Sequence, residues 1–194
     1  MPKPMDDTTN YWAHRLGLAE TETWPPRRKL GHQPNGHVFW PKHIRDDEAA
    51  NKAHLSQQFG RALTDLYWDG NSITFADDAY LIGVIYGLNS ELDRHWIAGR
   101  SNNASLWTSL QKPSGTTGGA ISSFAYDSPT HMFFGRDNDD RNLKRIAEIS
   151  ISQLDPKDIM NLVKRLPVYK HGNSSVSEML YINRSGPYMC QIGI

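Results

Sequence analysis

The chain has 194 residues with 21 basic and 21 acidic side chains, and this balance excludes an overall electrostatic attraction to nucleic acid or to an anionic membrane. Its single cysteine, Cys190, excludes an intrachain disulfide and a cysteine-rich metal site. No stretch approaches the roughly 20 consecutive apolar residues of a membrane helix, and residues 1–10 lack the pattern of a signal peptide. We therefore expect a reducing location, either cytoplasmic or inside a host or target cell after delivery.

Residues 1–44 are rich in proline, histidine and aromatic side chains. Because proline fixes φ and removes a backbone donor, this stretch is predicted to be an irregular arm, followed by one domain over residues 45–194. Trp24 and Trp40 are expected to pin the arm to the domain or to anchor a protein partner.

The first helix is predicted over residues 45–68, where acidic residues precede apolar side chains that recur every three or four positions. A second helical stretch is predicted to begin with Asp77 as its cap, to pass Leu88 and to continue toward Trp96.

The rest of the chain has mainly strand character. Residues 101–119 are predicted to form a polar loop, and a brief helix is predicted around Met132, Phe133 and Phe134. The proline after Asp155 predicts a helix over 156–165. Strands are predicted at 120–126, 145–152, 178–183 and 188–194, with a hairpin turn at 183–187. The predicted class is α+β, with N-terminal helices followed by a mostly antiparallel split β-sheet.

Familiar catalytic motifs are missing from the sequence: it has no Walker loop, dinucleotide-binding glycine fingerprint, His-Glu-x-x-His or nucleophile elbow. His32, His37 and His43 fall close together near two aspartates. A metal-dependent nuclease is an alternative built on them, but their spacing matches no strong ligand pattern, so no metal site is assigned.

Polar residues in the C-terminal half form a more specific order. Arg100 ends an apolar stretch, Ser122 and Ser123 lie on a predicted strand, and Glu178 opens a late strand. This order resembles that of the ADP-ribosyltransferase superfamily of bacterial toxins and effectors, over about residues 96–183.

The resemblance implies a split sheet that binds NAD. It implies that Arg100 grips phosphate or ribose, that Ser122 or Ser123 supports the pocket, and that Glu178 is catalytic at the ribose. A carboxylate there would stabilise an oxocarbenium-like state. The aromatic residues Phe124, Tyr126 and Phe134 are expected to stack on nicotinamide. The implied activity is NAD-dependent ADP-ribose transfer to a protein or nucleic acid, or NAD hydrolysis. The other alternative is an interaction module, such as an immunity, adaptor or phage inhibitor protein, that binds through the arm.

Overall fold

The computed structural model describes residues 7–27, 34–44, 47–111, 121–150, 154–171, 174–186 and 188–193. The helices are α1 (Asp7–Leu16), α2 (Glu48–Asp69), α3 (Asn89–Ala98), α4 (Phe124–Asp127), α5 (Asp140–Ile149) and α6 (Pro156–Arg165), with a π-helical turn at Leu81–Ile85 and a 3₁₀ turn at Gly99–Asn102. The strands are β1 (Leu18–Thr21), β2 (Gly36–Phe39), β3 (Ser72–Ala76), β4 (Ala104–Thr108), β5 (His131–Phe134), β6 (Val168–His171), β7 (Ser174–Ser177), β8 (Met179–Asn183) and β9 (Tyr188–Ile192). The α+β class is confirmed.

Elements with strong local signals lie where the sequence predicted them. Helix α2 is capped by Asp47, whose carboxylate accepts a hydrogen bond from the Ala50 amide at 2.9 Å. Helix α6 spans the predicted residues, with Asp155 as its cap and Pro156 in its first turn. Strands β8 and β9 pair as the predicted hairpin.

Three of the predicted helices and strands are wrong. The stretch predicted as a strand over 145–152 lies mostly in helix α5, which Asp139 caps by accepting from the amides of Arg141 and Asn142. The brief helix predicted around Phe133 is strand β5, and the strand predicted at 120–126 ends in the short helix α4. In each case a short apolar run was assigned the wrong secondary structure. Periodicity alone does not distinguish a helix from a strand in so short a run.

The strands form small sheets of both kinds. Strand β1 pairs with β2 in parallel, and β3 pairs with β4 in parallel. Strands β5, β8 and β9 form an antiparallel sheet in that order, and β6 pairs with β7 in an antiparallel hairpin. Strands β3 and β4 were not predicted, and they form a separate parallel pair.

The core lies on one face of these sheets. Leu92 of α3, Leu143 of α5 and Val163 of α6 are completely buried there, and Leu180 and Ile182 of β8 pack against them. Alternation of side chains along each strand puts the other set of residues on the opposite face.

That opposite face carries a row of aromatic rings, which we call the aromatic row: Phe75, Trp107, Phe133, Tyr181 and Tyr188. Consecutive ring centroids lie 5.7, 5.9, 4.9 and 6.3 Å apart. Phe75 remains 78% exposed. The row therefore crosses from β3 to β9 as a continuous apolar surface facing solvent.

The described part of the N-terminal arm contains α1 and the β1–β2 pair, which the prediction of an irregular arm did not anticipate. It contacts α2: the Trp24 indole donates to Asp65 Oδ2 at 2.9 Å, and the Phe39 ring lies 5.6 Å from that of Phe59. Among the described residues, no helix combines the length and apolar character needed to cross a bilayer.

Candidate functional site

Strand β3 delivers two carboxylates to the end of the sheet. Ile73 and Phe75 lie on its solvent face, Thr74 lies on the other face, and the strand ends at the buried Ala76. Asp77 and Asp78 follow at once. Asp78 has a left-handed backbone with φ of 56°, a conformation that aspartate tolerates better than most residues. Its carboxylate accepts from the Leu81 amide at 3.1 Å, which fixes the turn that presents Asp77.

Strand β4 brings a hydroxyl to the same place. Because β3 and β4 are parallel, with Phe75 opposite Trp107, their carboxyl ends meet at one edge. There Ser109 Oγ donates to Asp77 Oδ1 at 2.5 Å and accepts from the Asp78 amide at 2.9 Å. The Ala79 amide also donates to the Ser109 carbonyl at 3.1 Å. The acid turn and the end of β4 are thus locked together.

Strand β5 completes the edge. A cleft of about 1220 Å³ opens between β4 and β5, and its lining includes Asp77, Ser109 and Gln111 together with Arg136 and Asp137 from the segment after β5. Asp77, Ser109, Gln111 and Arg136 are exposed. Carboxylate, hydroxyl, amide and guanidinium therefore share one solvent-accessible edge, a combination suited to a phosphorylated ligand with a hard cation.

Three of the residues predicted to form the site line this cleft. Arg100 lies at its opposite end, where Nη2 donates to Thr130 Oγ1 at 3.0 Å. Phe134 lines it from β5, and Tyr126 lines it from the helical side. The Tyr126 ring is buried beneath Arg145, whose guanidinium carbon lies 5.0 Å from the ring centroid. Burial raises the pKa of the Tyr126 hydroxyl, and Arg145 opposes that rise.

The other predicted site residues lie elsewhere. Helix α4 begins at Phe124, and Ser122 and Ser123 directly precede it, with Ser122 Oγ accepting from the Phe124 amide at 3.3 Å. None of the three lines the cleft. Glu178 links β7 to β8. It accepts a hydrogen bond from Tyr169 Oη at 2.6 Å and another from Gln191 Nε2.

These two bonds set the protonation of Glu178. The Gln191 amide, followed by the Tyr169 hydroxyl, holds the pKa of its carboxyl below the usual value. The hydrogen bond to Glu178 raises the pKa of the Tyr169 hydroxyl. Glu178 therefore connects Tyr169 of β6 with Gln191 of β9. A transferase site would require it to lie beside Arg100 and the serines instead.

The histidines of the arm do not form a described metal site. His32 lies outside the described residues, and His37 is exposed on β2. His43 Nδ1 lies 3.3 Å from Asn51 Nδ2. Over the part of the chain that the structure describes, no group of three or more His, Cys, Asp or Glu side chains is placed to hold a metal ion.

Asp77 and Ser109 were not predicted to form a pair. Asp77 was interpreted as a helix cap, and Ser109 was assigned to a polar loop. The available signal was the alternating segment Ile73-Thr74-Phe75-Ala76 ending in two aspartates, the pattern of a strand that carries acids at its carboxyl end.

No protein-family model and no curated protein matches the chain. Solved structures of the genome packaging NTPase B204 from Sulfolobus turreted icosahedral virus 2 do match it. The complex with ATP-gammaS has a TM-score of 0.53 at 13% identity, and the match covers 95% of this chain and 85% of that one. The AMP complex gives 0.52 at 13% identity, and the AMPPCP complex 0.51 at 14%, with the same coverage. The chain shares the B204 fold.

This likeness overturns the predicted family. The assignment to the ADP-ribosyltransferases is wrong, and with it the NAD cofactor and the toxin or effector activity, because the structures that match are NTPase structures with AMP or ATP analogues. The physical reason is that the order of Arg100, the serines and Glu178 along the chain did not determine where their side chains lie.

Proposed function

We propose that this chain forms the acidic side of a magnesium-dependent nucleoside triphosphate site at the carboxyl edge of β3, β4 and β5. The observation that carries the proposal is the Asp77–Ser109 pair, in which two parallel strands end in a carboxylate and a hydroxyl 2.5 Å apart at the mouth of a cleft. Ligands of open α/β sheets bind outside the carboxyl ends of the strands. The fold likeness to an NTPase solved with ATP analogues supports the same assignment.

The residues present fit a magnesium ion. Mg²⁺ usually takes one or two protein carboxylates together with substrate phosphates and water, so Asp77 with the adjacent Ser109 hydroxyl is a sufficient protein contribution. In P-loop NTPases an aspartate at the end of a strand holds this ion. When bound, Mg²⁺ neutralises charge on the phosphate oxygens.

The neighbouring residues have separate roles. Ser109 orients the Asp77 carboxylate and leaves its other oxygen for the ligand. Arg136 offers a guanidinium that forms paired hydrogen bonds with phosphate oxygens. Gln111 can hold a water in line with a terminal phosphate through its side-chain amide.

Calorimetric titration of the full chain with ATP-gammaS in MgCl₂ tests the proposal. We expect saturable binding that EDTA abolishes and that Asp77→Asn weakens at least tenfold, because the amide no longer carries the charge that holds the cation. Asp158→Asn, an exposed aspartate in the first turn of α6, is the matched control and should bind as the wild type does. Equal affinity of Asp77→Asn and Asp158→Asn would remove the proposal.

A further inference from the structure

Strands β4 and β5 each have an open edge toward the cleft. Within the described residues β4 pairs only with β3, and β5 pairs only with β8. The Trp107 ring nevertheless lies 5.9 Å from Phe133 and 6.3 Å from His131, so the two strands are neighbours without a hydrogen-bonded ladder. A row of unpaired amides and carbonyls on a strand edge is a template for a further strand.

The two open edges run in the same direction. At the start of the strands, Arg100 Nη2 donates to Thr130 Oγ1 at 3.0 Å, which joins the residue before β5 to the turn that leads into β4. At the far end, Ser109 after β4 and Gly135 after β5 line the same cleft. A strand that enters between them can therefore run parallel to both.

The cleft also defines what such a strand must look like. Trp107 and Phe133 line it on the solvent face, whereas Leu106 and Met132 line it on the core face. A parallel strand that is covered on both faces is a continuous run of apolar residues rather than an alternating one.

We propose that an apolar segment from outside these 194 residues inserts as a parallel strand between β4 and β5 and carries a phosphate-binding glycine loop at its carboxyl end. The loop half of this inference rests on the proposed function. The sequence contains no Gly-x-x-x-x-Gly-Lys-Ser/Thr motif, and the inserted strand ends beside Asp77 and Ser109, where such a loop would meet the phosphates.

The aromatic row supports the same occupant. Parallel strands are covered on both faces in folded proteins, yet Ile73 and Phe75 of β3 are 72% and 78% exposed. A helix that follows the glycine loop would lie on this face and cover it. Strand, loop and helix together thus match the open edges, the acidic end and the bare face.

Hydrogen–deuterium exchange on the full chain tests the insertion. The probe is a synthetic peptide that begins with a five-residue strand in which valine and isoleucine alternate. A Gly-x-x-x-x-Gly-Lys-Thr loop and an amphipathic helix follow the strand. The control peptide has the same composition with charged residues placed within the strand. In the chain alone, we expect fast exchange of those amides of 104–108 and 131–134 that face the cleft. The probe should slow their exchange at least tenfold, and the control peptide should not. Trp107→Lys and Phe133→Lys should each abolish this protection, whereas Tyr11→Lys, an exposed aromatic residue of α1 outside the cleft and the aromatic row, should retain it.

Protection of both edges in the chain alone, or no protection with the probe, would overturn the insertion. The affinity for ATP-gammaS separates the two proposals: it should rise at least tenfold with the probe and remain unchanged with a probe whose loop glycines and lysine are serines. Protection without this rise in affinity would overturn the loop assignment. The effect of Asp77→Asn on ATP-gammaS binding by the chain alone tests the nucleotide site independently of the insertion.

Discussion

Ser109 Oγ donates to Asp77 Oδ1 at 2.5 Å, across the carboxyl ends of two parallel strands. A serine hydroxyl so placed fixes the rotamer of the carboxylate before any ligand arrives. Because Ser109 Oγ also accepts a hydrogen bond from the Asp78 amide at 2.9 Å, Ser109 holds the left-handed turn at Asp78 in position.

Replacement of Ser109 by alanine should therefore weaken magnesium-dependent binding of ATP-gammaS roughly tenfold, which corresponds to about 1.4 kcal/mol for a hydrogen bond to a charged group. Titration calorimetry gives the affinity. Ser101→Ala, an exposed serine in the 3₁₀ turn, serves as control. If both variants bind equally well, Ser109 does not position Asp77.

Glu178→Gln should leave nucleotide affinity unchanged, since Glu178 lies outside the cleft and bonds Tyr169 and Gln191. The variant should instead alter the response of stability to acid. Because those bonds hold the folded pKa of Glu178 below its usual value, the unfolded chain binds its proton first as the pH falls. The stabilisation is therefore present above the unfolded pKa and is lost in acid.

Urea unfolding at pH 7 and pH 4 measures this difference. The wild type should lose more stability between the two pH values than Glu178→Gln does. A weaker nucleotide affinity in the variant would place Glu178 in the site after all.

His95 should make the fold sensitive to mild acid. Its ring is buried, and Nε2 lies 2.9 Å from the Leu63 carbonyl. Burial lowers its pKa from the usual 6.5, which the bond to Leu63 partly opposes. Below pH 6.5 the unfolded chain takes up a proton that the folded chain does not, so stability decreases by at most about 1.4 kcal/mol per pH unit until the folded pKa is reached.

The measurement is the urea midpoint between pH 7.5 and pH 5.5. His95→Gln keeps a donor for Leu63 and cannot take up the proton, so its stability should depend less steeply on pH. An identical dependence of stability on pH in the two proteins would show that the pKa of His95 does not differ between the folded and unfolded states.

Gly70 should tolerate no side chain. Its φ is +61°, and a Cβ there would lie 2.2 Å from the Asn102 carbonyl oxygen. Gly87 has a similar φ of +74° but nothing within 4 Å of the added atom. Gly87→Ala should thus cost only the left-handed strain of about 1–2 kcal/mol, and Gly70→Ala should cost clearly more.

Denaturant unfolding of both variants compares the two costs directly. Because Gly70 joins α2 to β3, its variant should also weaken nucleotide binding, whereas Gly87→Ala should not. Equal destabilisation would mean that the turn moves away from Asn102.

The parts of the fold that the sequence predicted correctly are those with local signals. Asp155 and Pro156 begin α6 through contacts within one turn, and this information is present in adjacent residues. Helix α5 has an equally good cap in Asp139, but Ile149 and Ile151 alternate in the sequence and suggested a strand. Two local patterns competed there, and the helical spacing of Leu143, Ile146 and Ala147 prevailed because it buries all three.

The candidate site was not predictable in this way. Asp77 and Ser109 are separated by 32 positions, and only the parallel register of β3 and β4 brings them together. Conversely, Arg100, Ser122 and Glu178 formed a suggestive order along the chain, but in the fold Arg100 lines the cleft and the other two residues do not. Spatial proximity depended on strand pairing, which single residues do not encode.

The aromatic row also determines how the isolated chain should behave at high concentration. Contiguous apolar surface in contact with water promotes self-association. Phe75 and Trp107 contribute to such a surface on β3 and β4, which pair only with each other among the residues that the structure describes. Purified alone, the protein should therefore become less soluble as it is concentrated, and a polypeptide that covers this face should act as its solubiliser.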